Sequence, residues 1–263
     1  MAPTLVIVPG SFATPTMYDG FTTQLKKSGV EDVRIVHTPS VGPFDDRKPG
    51  NVSDDVSAIT KLVEEVLSEG KEVTLIAHSY GGIPTSQSLK ELGAVNRSDG
   101  KGVKKVIYLA SVILQEGVSN FELFGNNLPD FVKKHEADGY MTLDPDVAGP
   151  LTFSELDSAE AVSVAKSGMA SHSIAAFEEK LSYAGYNDVN EVNWILTTED
   201  MIVPGQFQKG FIDLINAGRK IKYERDGRKR PDVNIIERSW DHCPTHSHTE
   251  ELVDIVKGIL GAP

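Results

Sequence analysis

Ala77-His78-Ser79-Tyr80-Gly81-Gly82 is the most informative segment of this chain for its fold class. It follows the apolar run Glu72-Val73-Thr74-Leu75-Ile76, which is typical of a buried strand, and it precedes a helical pattern at residues 83–92. A serine at a sharp strand-to-helix turn needs small residues two positions before and after it, and Ala77 and Gly81 meet that need. The stretch therefore predicts a nucleophilic serine at such a turn. An ordinary glycine-rich turn is the alternative.

Short apolar runs and helical patterns alternate on both sides of this turn. Strands are predicted at residues 5–8, 33–37, 73–77, 106–110, 193–197 and 233–237, and helices at 52–68, 83–92 and 253–260. Strands that alternate with helices form parallel βαβ units, and continuous apolar strands indicate a sheet covered on both faces. We predict an α/β fold with a mainly parallel six-stranded sheet flanked by helices.

The alternation stops in the middle of the chain. Residues 154–169 and 174–183 have helical patterns, whereas residues 140–153 predict an irregular stretch or a short hairpin. An insertion of roughly 75 residues is too long for a plain loop. We predict a core of residues 1–114 and 192–263, with a mainly helical cap inserted at residues 115–191. A second packing layer without substrate contact is the alternative.

A serine hydroxyl needs a base, and the base needs an orienting carboxylate. In this type of fold the acid and then the histidine follow the serine along the chain. Asp200, after the fifth predicted strand, is the preferred acid, and Glu199 is its alternative. His242 is the preferred base because it is the first histidine after the sixth predicted strand. We expect both to lie near Ser79.

Two backbone N–H groups are expected to bind the negative charge that develops on a carbonyl oxygen. The amide of Tyr80 directly follows the nucleophile and is the first donor. The second is expected in the loop after the first strand, where Gly10 lets the chain come close. Ser11 is the preferred donor there, and Phe12 is the alternative.

Five potential metal ligands lie together near the end of the chain: Asp241, His242, Cys243, His246 and His248. Pro244 interrupts this cluster and no second ligand group is evident, so we expect no metal and no cofactor. His78 is expected to pack beside the site. Six residues of the predicted cap suggest an apolar pocket, although such residues are more often the core of the cap itself: Phe121, Phe124, Leu128, Phe131, Phe153 and Phe177.

Composition limits the partners. The chain of 263 residues has a formal net charge of −12, and phosphate binding needs clustered Lys and Arg, so we expect no nucleic-acid partner. No apolar run approaches the roughly 20 residues of a membrane span, and Met1-Ala2-Pro3-Thr4 lacks the basic start of a secretory signal. Cys243 is the single cysteine, which favours a cytoplasmic location. We expect a small-molecule substrate. The sequence is also compatible with a homodimer.

Together these residues resemble the α/β-hydrolase superfamily, in particular the compact branch of plant methylesterases, hydroxynitrile lyases and their fungal and bacterial relatives. The resemblance spans nearly the whole chain and is carried by residues 77–82, 169–173, 181–184, 200–204, 206 and 242–244. It implies that Ser79 is the nucleophile, Asp200 the orienting acid and His242 the general base. It also implies an oxyanion hole at Ser11 and Tyr80, and cofactor-free cleavage of a carboxylic ester or lactone.

Two positions depart from that branch. Pro9-Gly10 stands where His-Gly is usual, which bears on the floor of the pocket. Asp241 stands where Gly commonly precedes the catalytic histidine, and it places a carboxyl group beside His242. Because fold does not fix function, three alternatives stay open on this scaffold: a hydroxynitrile lyase, a carbon–carbon bond hydrolase and a non-catalytic receptor for a small ligand.

Overall fold

The elements below come from a computed structural model that describes residues 3–261. Within that range the strands are β1 (Thr4–Val8), β2 (Val33–Ile35), β3 (Val73–His78), β4 (Lys105–Leu109), β5 (Val132–His135), β6 (Tyr140–Leu143), β7 (His172–Ser173), β8 (Glu191–Thr197) and β9 (Asn234–Arg238). The helices are α1 (Asp19–Lys27), α2 (Val52–Ser68), α3 (Gly82–Leu92), α4 (Asn120–Leu123), α5 (Pro145–Thr152), α6 (Ser158–Gly168), α7 (Ile174–Glu178), α8 (Gly205–Asp226), α9 (Pro244–Ser247) and α10 (Thr249–Leu260).

Six of the strands form one sheet in the order β2-β1-β3-β4-β8-β9, and every neighbouring pair is parallel. The predicted α/β fold and six-stranded sheet are confirmed, and each predicted core strand lies within two residues of its observed bounds. Because parallel strands point the same way, their carboxyl ends meet at one edge of the sheet. The residues that follow β1, β3, β8 and β9 are therefore brought towards one another.

Helices cover both faces of this sheet. Along β1, Val6 and Val8 enter the apolar cluster that contains residues of α2, α3 and α8. Leu5 and Ile7 point to the opposite face and enter the cluster that contains residues of α1 and α10. This alternation follows from the two-residue period of a strand, and burial on both faces explains why β1 is apolar throughout.

Residues 115–191, which we call the inserted segment, contain α4 to α7 and an antiparallel sheet in the order β5-β6-β7. The expectation for residues 140–153 was wrong in its second half, where α5 forms. Asp144 caps this helix by accepting a hydrogen bond from the amide of Asp146, and Pro145 occupies its first position. The helix predicted at residues 174–183 ends early, at Glu178. The division of the chain into core and cap stays a prediction.

Two further expectations concern membranes and secretion. No helix within residues 3–261 is both long and apolar enough to cross a membrane. The argument against a secretory signal rests in part on Met1 and Ala2, which lie outside the described residues.

Candidate active site

Ser79 lies at a sharp turn between β3 and α3. Its φ angle of +52° is in the left-handed region, which non-glycine residues adopt only when the surrounding structure holds them there. Gly81 makes the turn feasible, because a Cβ atom at this position would lie 2.5 Å from the carbonyl oxygen of Val8. The Ser79 side chain is only 5% exposed and faces a cavity.

The structure brings the three predicted side chains into one hydrogen-bonded chain. His242 Nε2 lies 2.9 Å from Ser79 Oγ, and His242 Nδ1 lies 2.8 Å from Asp200 Oδ2. A carboxylate only accepts hydrogen bonds, so Nδ1 carries the proton and Nε2 is left to accept the proton of the serine. All three side chains are buried.

Asp200 is held as an anion by several donors. Its Oδ1 accepts hydrogen bonds from the amides of Ile202 and Val203, both at 2.8 Å, and its Oδ2 accepts one from Thr197 Oγ1 at 3.0 Å. Burial alone would raise the pKa of Asp200, but the adjacent His242 and these hydrogen bonds outweigh it and hold the pKa below its ordinary value. Glu199, the alternative acid, is exposed and its side chain is not bonded to the histidine.

His78 anchors the main chain of the loop that carries His242, here called the histidine loop. This role goes beyond the packing that the position of His78 suggests. Its Nε2 lies 2.9 Å from the carbonyl oxygen of His242, so Nε2 donates and Nδ1 accepts from the Tyr18 hydroxyl at 2.8 Å. The same hydroxyl accepts the amide proton of Gly10 at 3.0 Å. Burial, together with the neighbouring His242, lowers the pKa of His78 to about 3, so His78 is neutral. One chain of hydrogen bonds thus joins the first loop to the histidine loop.

The hydrogen bonds of the first loop distinguish Ser11 from Phe12, the two candidates for the second oxyanion donor. The amide of Phe12 donates to His172 Nδ1 at 3.2 Å and is therefore occupied. The amide of Ser11 has no hydrogen-bond partner in the described part of the chain. The amide of Tyr80 belongs to a short 3-10 helix, Ser79–Gly81, that precedes α3, and the first N–H groups of a helix lack intrahelical partners. Ser11 and Tyr80 are therefore the amides left to bind an oxygen beside Ser79.

The potential metal ligands are dispersed among other partners. Asp241 accepts hydrogen bonds from the Cys243 amide at 3.1 Å and from Ser247 Oγ at 2.8 Å. His248 Nε2 lies 2.9 Å from Glu155 Oε2. Across residues 3–261, no three His, Cys, Asp or Glu side chains are grouped so that they could hold a metal ion. Asp241, the departure noted beside His242, is thus bound to its own loop and to the amide of Glu155 at 3.3 Å, and burial raises its pKa.

A cavity of about 350 Å³ opens beside Ser79 and His242. Most of its wall is apolar, and the inserted segment contributes Phe121, Phe124, Leu128, Phe131 and Phe177. Phe153 was also expected here, but it packs against His246 in the other apolar cluster. The wall is therefore built by both the sheet edge and the inserted segment.

Three polar residues of this wall were not expected from the sequence: Asn120, Asn127 and Thr152. Asn120 is only 3% exposed, and its Oδ1 atom has no hydrogen-bond partner among the described residues. A buried amide without partners is costly, which makes Asn120 a candidate contact for a polar group of a ligand. Nothing in the local sequence distinguishes it, because Asn120 also suits the helix start that follows the Ser119 cap.

A parallel sheet of this order, with a serine turn after its third strand, defines the α/β-hydrolase class. The profile of the Alpha/beta hydrolase family matches residues 5–255, and the chain belongs to this family. A curated relative, the probable hydrolase R7 of Phoma sp. (strain ATCC 20986 / MF5453), is 32% identical over 259 residues, which cover 98% of each chain. The chain is thus a hydrolase by family.

Two solved structures share the architecture. Polyneuridine aldehyde esterase matches with a TM-score of 0.74 at 18% identity, over 98% of this chain and 99% of that chain. The pyrethroid hydrolase PytH with BIF matches with a TM-score of 0.72 at 14% identity, over 100% and 99%. At such identities the likeness establishes the fold. The resemblance to the methylesterase-like branch is thus confirmed as a likeness in fold.

Proposed function

We propose that this protein is a serine hydrolase that cleaves a small carboxylic ester or lactone through an acyl-enzyme on Ser79. One observation carries the proposal: the continuous chain of hydrogen bonds from Ser79 Oγ through His242 to Asp200, beside the two unoccupied amides. That arrangement supplies a nucleophile, a base, an orienting acid and an oxyanion site together. The structural neighbours named as an esterase and a pyrethroid hydrolase favour the same chemistry.

In the first half of the reaction, Ser79 Oγ bonds to the carbonyl carbon while its proton moves to His242 Nε2. The oxyanion accepts hydrogen bonds from the amides of Ser11 and Tyr80, and Asp200 stabilises the imidazolium. The tetrahedral intermediate then collapses: the carbon–oxygen bond to the leaving group breaks, and His242 gives that alkoxide its proton. The acyl group remains on Ser79.

In the second half, His242 Nε2 takes a proton from water as the water oxygen attacks the acyl carbon. The same two amides hold the new oxyanion. When the bond to Ser79 Oγ breaks, His242 returns the proton to the serine, and the carboxylic acid leaves. No redox step or cofactor enters this balance.

The cavity favours a mainly apolar substrate of modest size. A volume of about 350 Å³ lies at the lower end of the range for small-molecule sites. The aromatic wall from the inserted segment would act as a cap that shields the cavity from bulk solvent and still admits the water that attacks the acyl carbon. The amide of Asn120 would pair with a second polar group on the substrate, away from the reacting carbonyl.

The test combines turnover with covalent labelling. Wild type should hydrolyse p-nitrophenyl esters with a burst of p-nitrophenol, and a fluorophosphonate should add one adduct that peptide mass spectrometry locates at Ser79. Ser79→Ala should abolish both while retaining the fold. If wild type shows neither a burst nor an adduct and Ser79→Ala still binds the ligand, the protein is a receptor. Cyanide release from a cyanohydrin without ester turnover would replace hydrolysis with lyase chemistry.

A further inference from the structure

A second buried hydrogen-bond network lies behind the oxyanion site and takes no part in the proton transfers above. Its centre is Asp55 on α2, a carboxylate with 0% exposure. Asp55 Oδ1 accepts the amide proton of Ser40 at 2.9 Å. Asp55 Oδ2 accepts hydrogen bonds from Ser40 Oγ at 2.6 Å and from the Tyr80 hydroxyl at 2.8 Å. Tyr80 is the residue whose amide lies beside Ser79.

The network continues from Ser40 to the other half of the oxyanion site. Ser40 Oγ lies 3.1 Å from His172 Nε2, and His172 Nδ1 accepts the amide proton of Phe12 at 3.2 Å. The direction of every hydrogen bond follows from the ionised form of Asp55, which can only accept. Ser40 donates to it, so Ser40 accepts from His172 Nε2–H, which leaves His172 Nδ1 to accept from Phe12. Burial lowers the pKa of His172 to about 3, which agrees with this neutral tautomer.

The backbone that this network holds is strained. Phe12 has a φ angle of +61°, and its amide and carbonyl are fixed on both sides, by His172 and by the amide of Ala170 at 2.7 Å. Such a conformation persists only where neighbouring groups impose it. The bond to His172 occupies the Phe12 amide and leaves the adjacent Ser11 amide free for an oxyanion.

Stability alone does not explain a carboxylate at this position. Burial raises the pKa of Asp55 to about 6 against the hydrogen bonds from Ser40, so its ionised form is disfavoured inside the protein. Apolar residues that replace buried charged groups are often neutral or stabilising. What the carboxylate adds is directional: one group orients both the Tyr80 ring and, through Ser40 and His172, the Phe12 peptide.

We propose that Asp55, Ser40 and His172 are positioning residues that hold the two halves of the oxyanion hole in register. The inference rests on the proposed ester hydrolysis. These residues touch no substrate; they act through the Phe12 peptide and the Tyr80 side chain. Their effect is therefore expected on the stabilisation of the tetrahedral anion and not on binding of the neutral ester.

Four variants test this: Asp55→Asn, Ser40→Ala, His172→Phe and Tyr80→Phe. Each removes hydrogen bonds of the network and keeps much of the side-chain volume. Loss of one oxyanion donor costs about 10²–10³ in kcat, and displacement of a donor should cost less, so we expect kcat to fall about 10–100-fold while KM changes little. Affinity for a phenylboronic acid, whose adduct with Ser79 is a tetrahedral anion, should fall in parallel.

A double-mutant cycle and a control separate positioning from general destabilisation. Because Asp55 and Ser40 belong to one chain, the losses in kcat from Asp55→Asn and Ser40→Ala should not add. Ser88→Ala removes a buried hydroxyl that donates to the Thr85 carbonyl on α3, and it should lower stability without changing kcat or boronate affinity.

Three outcomes overturn the inference in different ways. If the network variants lose thermal stability but keep the kcat and boronate affinity of active wild type, the network is structural and the inference is wrong alone. If wild type neither hydrolyses esters nor binds the boronate, the proposed function fails and the inference fails with it. A tenfold rise in KM at constant kcat would also contradict positioning, since it would place the effect on ground-state binding.

Discussion

The two oxygens of Asp200 have different tasks. Oδ1 is saturated by the amides of Ile202 and Val203, which fixes the carboxylate, while Oδ2 faces His242 Nδ1. The sequence could identify this acid because it follows a strand at the carboxyl edge, but it could not separate Asp200 from Glu199. The choice depends on which side chain turns inward, and that is decided by backbone hydrogen bonds formed only in the folded loop.

Asp200→Asn should lower kcat by about 10³–10⁴-fold, because an amide group facing His242 Nδ1 favours the tautomer that cannot accept the serine proton. The measurement is steady-state hydrolysis of a p-nitrophenyl ester, with labelling of Ser79 by a fluorophosphonate as a second readout. Glu199→Gln is the matched control on the exposed neighbour, and it should change kcat less than twofold. Equal losses in both variants would show that the orienting acid has been assigned to the wrong residue.

Asn120→Leu should make the free protein more stable by about 1–3 kcal/mol, because it removes a buried amide whose Oδ1 has no partner in the described chain. It should also lower kcat/KM for an ester whose hydroxyl group can donate to Asn120 Oδ1, relative to an apolar analogue. Urea unfolding and paired substrates measure the two effects. Asn127→Leu is the control, since Asn127 lines the same cavity but is exposed. An unchanged ratio between the two esters would remove Asn120 from substrate recognition.

Among the helices and strands, the predicted bounds are most accurate where apolar residues that become buried recur at a regular spacing. The bounds predicted for α2 match the observed helix, and its buried side consists of Val52, Asp55, Ile59, Val63 and Val66. Asp55 lies on this buried side, although an acidic residue in register with Val52 and Ile59 is normally expected to face solvent. An acidic residue on an otherwise apolar side of a helix is the signal that could have indicated the hydrogen-bond network around Asp55. His172 could not be found this way, because its partners Ser40 and Phe12 are more than 130 residues away in sequence.

The short hairpin considered for residues 140–153 was misplaced, because the observed hairpin of β5 and β6 spans residues 132–143. Each strand has four residues, and β5 carries Lys133 and Lys134, so neither shows a buried run or a clear alternation. Pairing between the two strands, and of β6 with β7, defines them, and such pairing is a tertiary property. In α5 the helix signal was present in Asp144-Pro145, but Gly149 and Pro150 obscured it.

Two glycine-to-alanine changes in helices should have opposite effects on stability. At Gly149 of α5, a Cβ atom would lie 2.8 Å from the carbonyl oxygen of Ala161 on α6, so Gly149→Ala should separate these helices and cost about 1–3 kcal/mol. At Gly210 of α8, no atom lies within 4 Å of the added Cβ, so Gly210→Ala should stabilise by about 0.4–1 kcal/mol. Urea unfolding of both variants is the measurement. Stabilisation by both changes would mean that α5 and α6 do not pack as described.

For the molecule as a whole, buried ionisable groups couple folding to pH. Burial lowers the pKa values of His78 and His172 to about 3, whereas both residues take up protons near pH 6.5 when unfolded. The unfolded state therefore binds more protons below pH 6.5, and stability falls as the pH decreases. Burial raises the pKa of Asp55 to about 6, above its unfolded value of 3.8, so Asp55 has the opposite effect between these two values. Because two histidines act against one aspartate, the net effect is a loss of stability as the pH decreases.

Stability should therefore be greatest above pH 6.5 and should decline on acidification. Each proton taken up on unfolding contributes about 1.4 kcal/mol per pH unit, so two histidines against one Asp55 give a net loss on the order of 1 kcal/mol per unit between roughly pH 5.5 and 4. Urea unfolding at pH 7.5, 6.5, 5.5 and 4.5 measures this slope. His172→Phe keeps an aromatic ring but cannot bind the proton, and it should reduce the loss by about 1.4 kcal/mol per unit. A wild-type stability that stays constant down to pH 4.5, or a His172→Phe slope equal to that of wild type, would show that these histidines reach solvent and titrate in the folded protein.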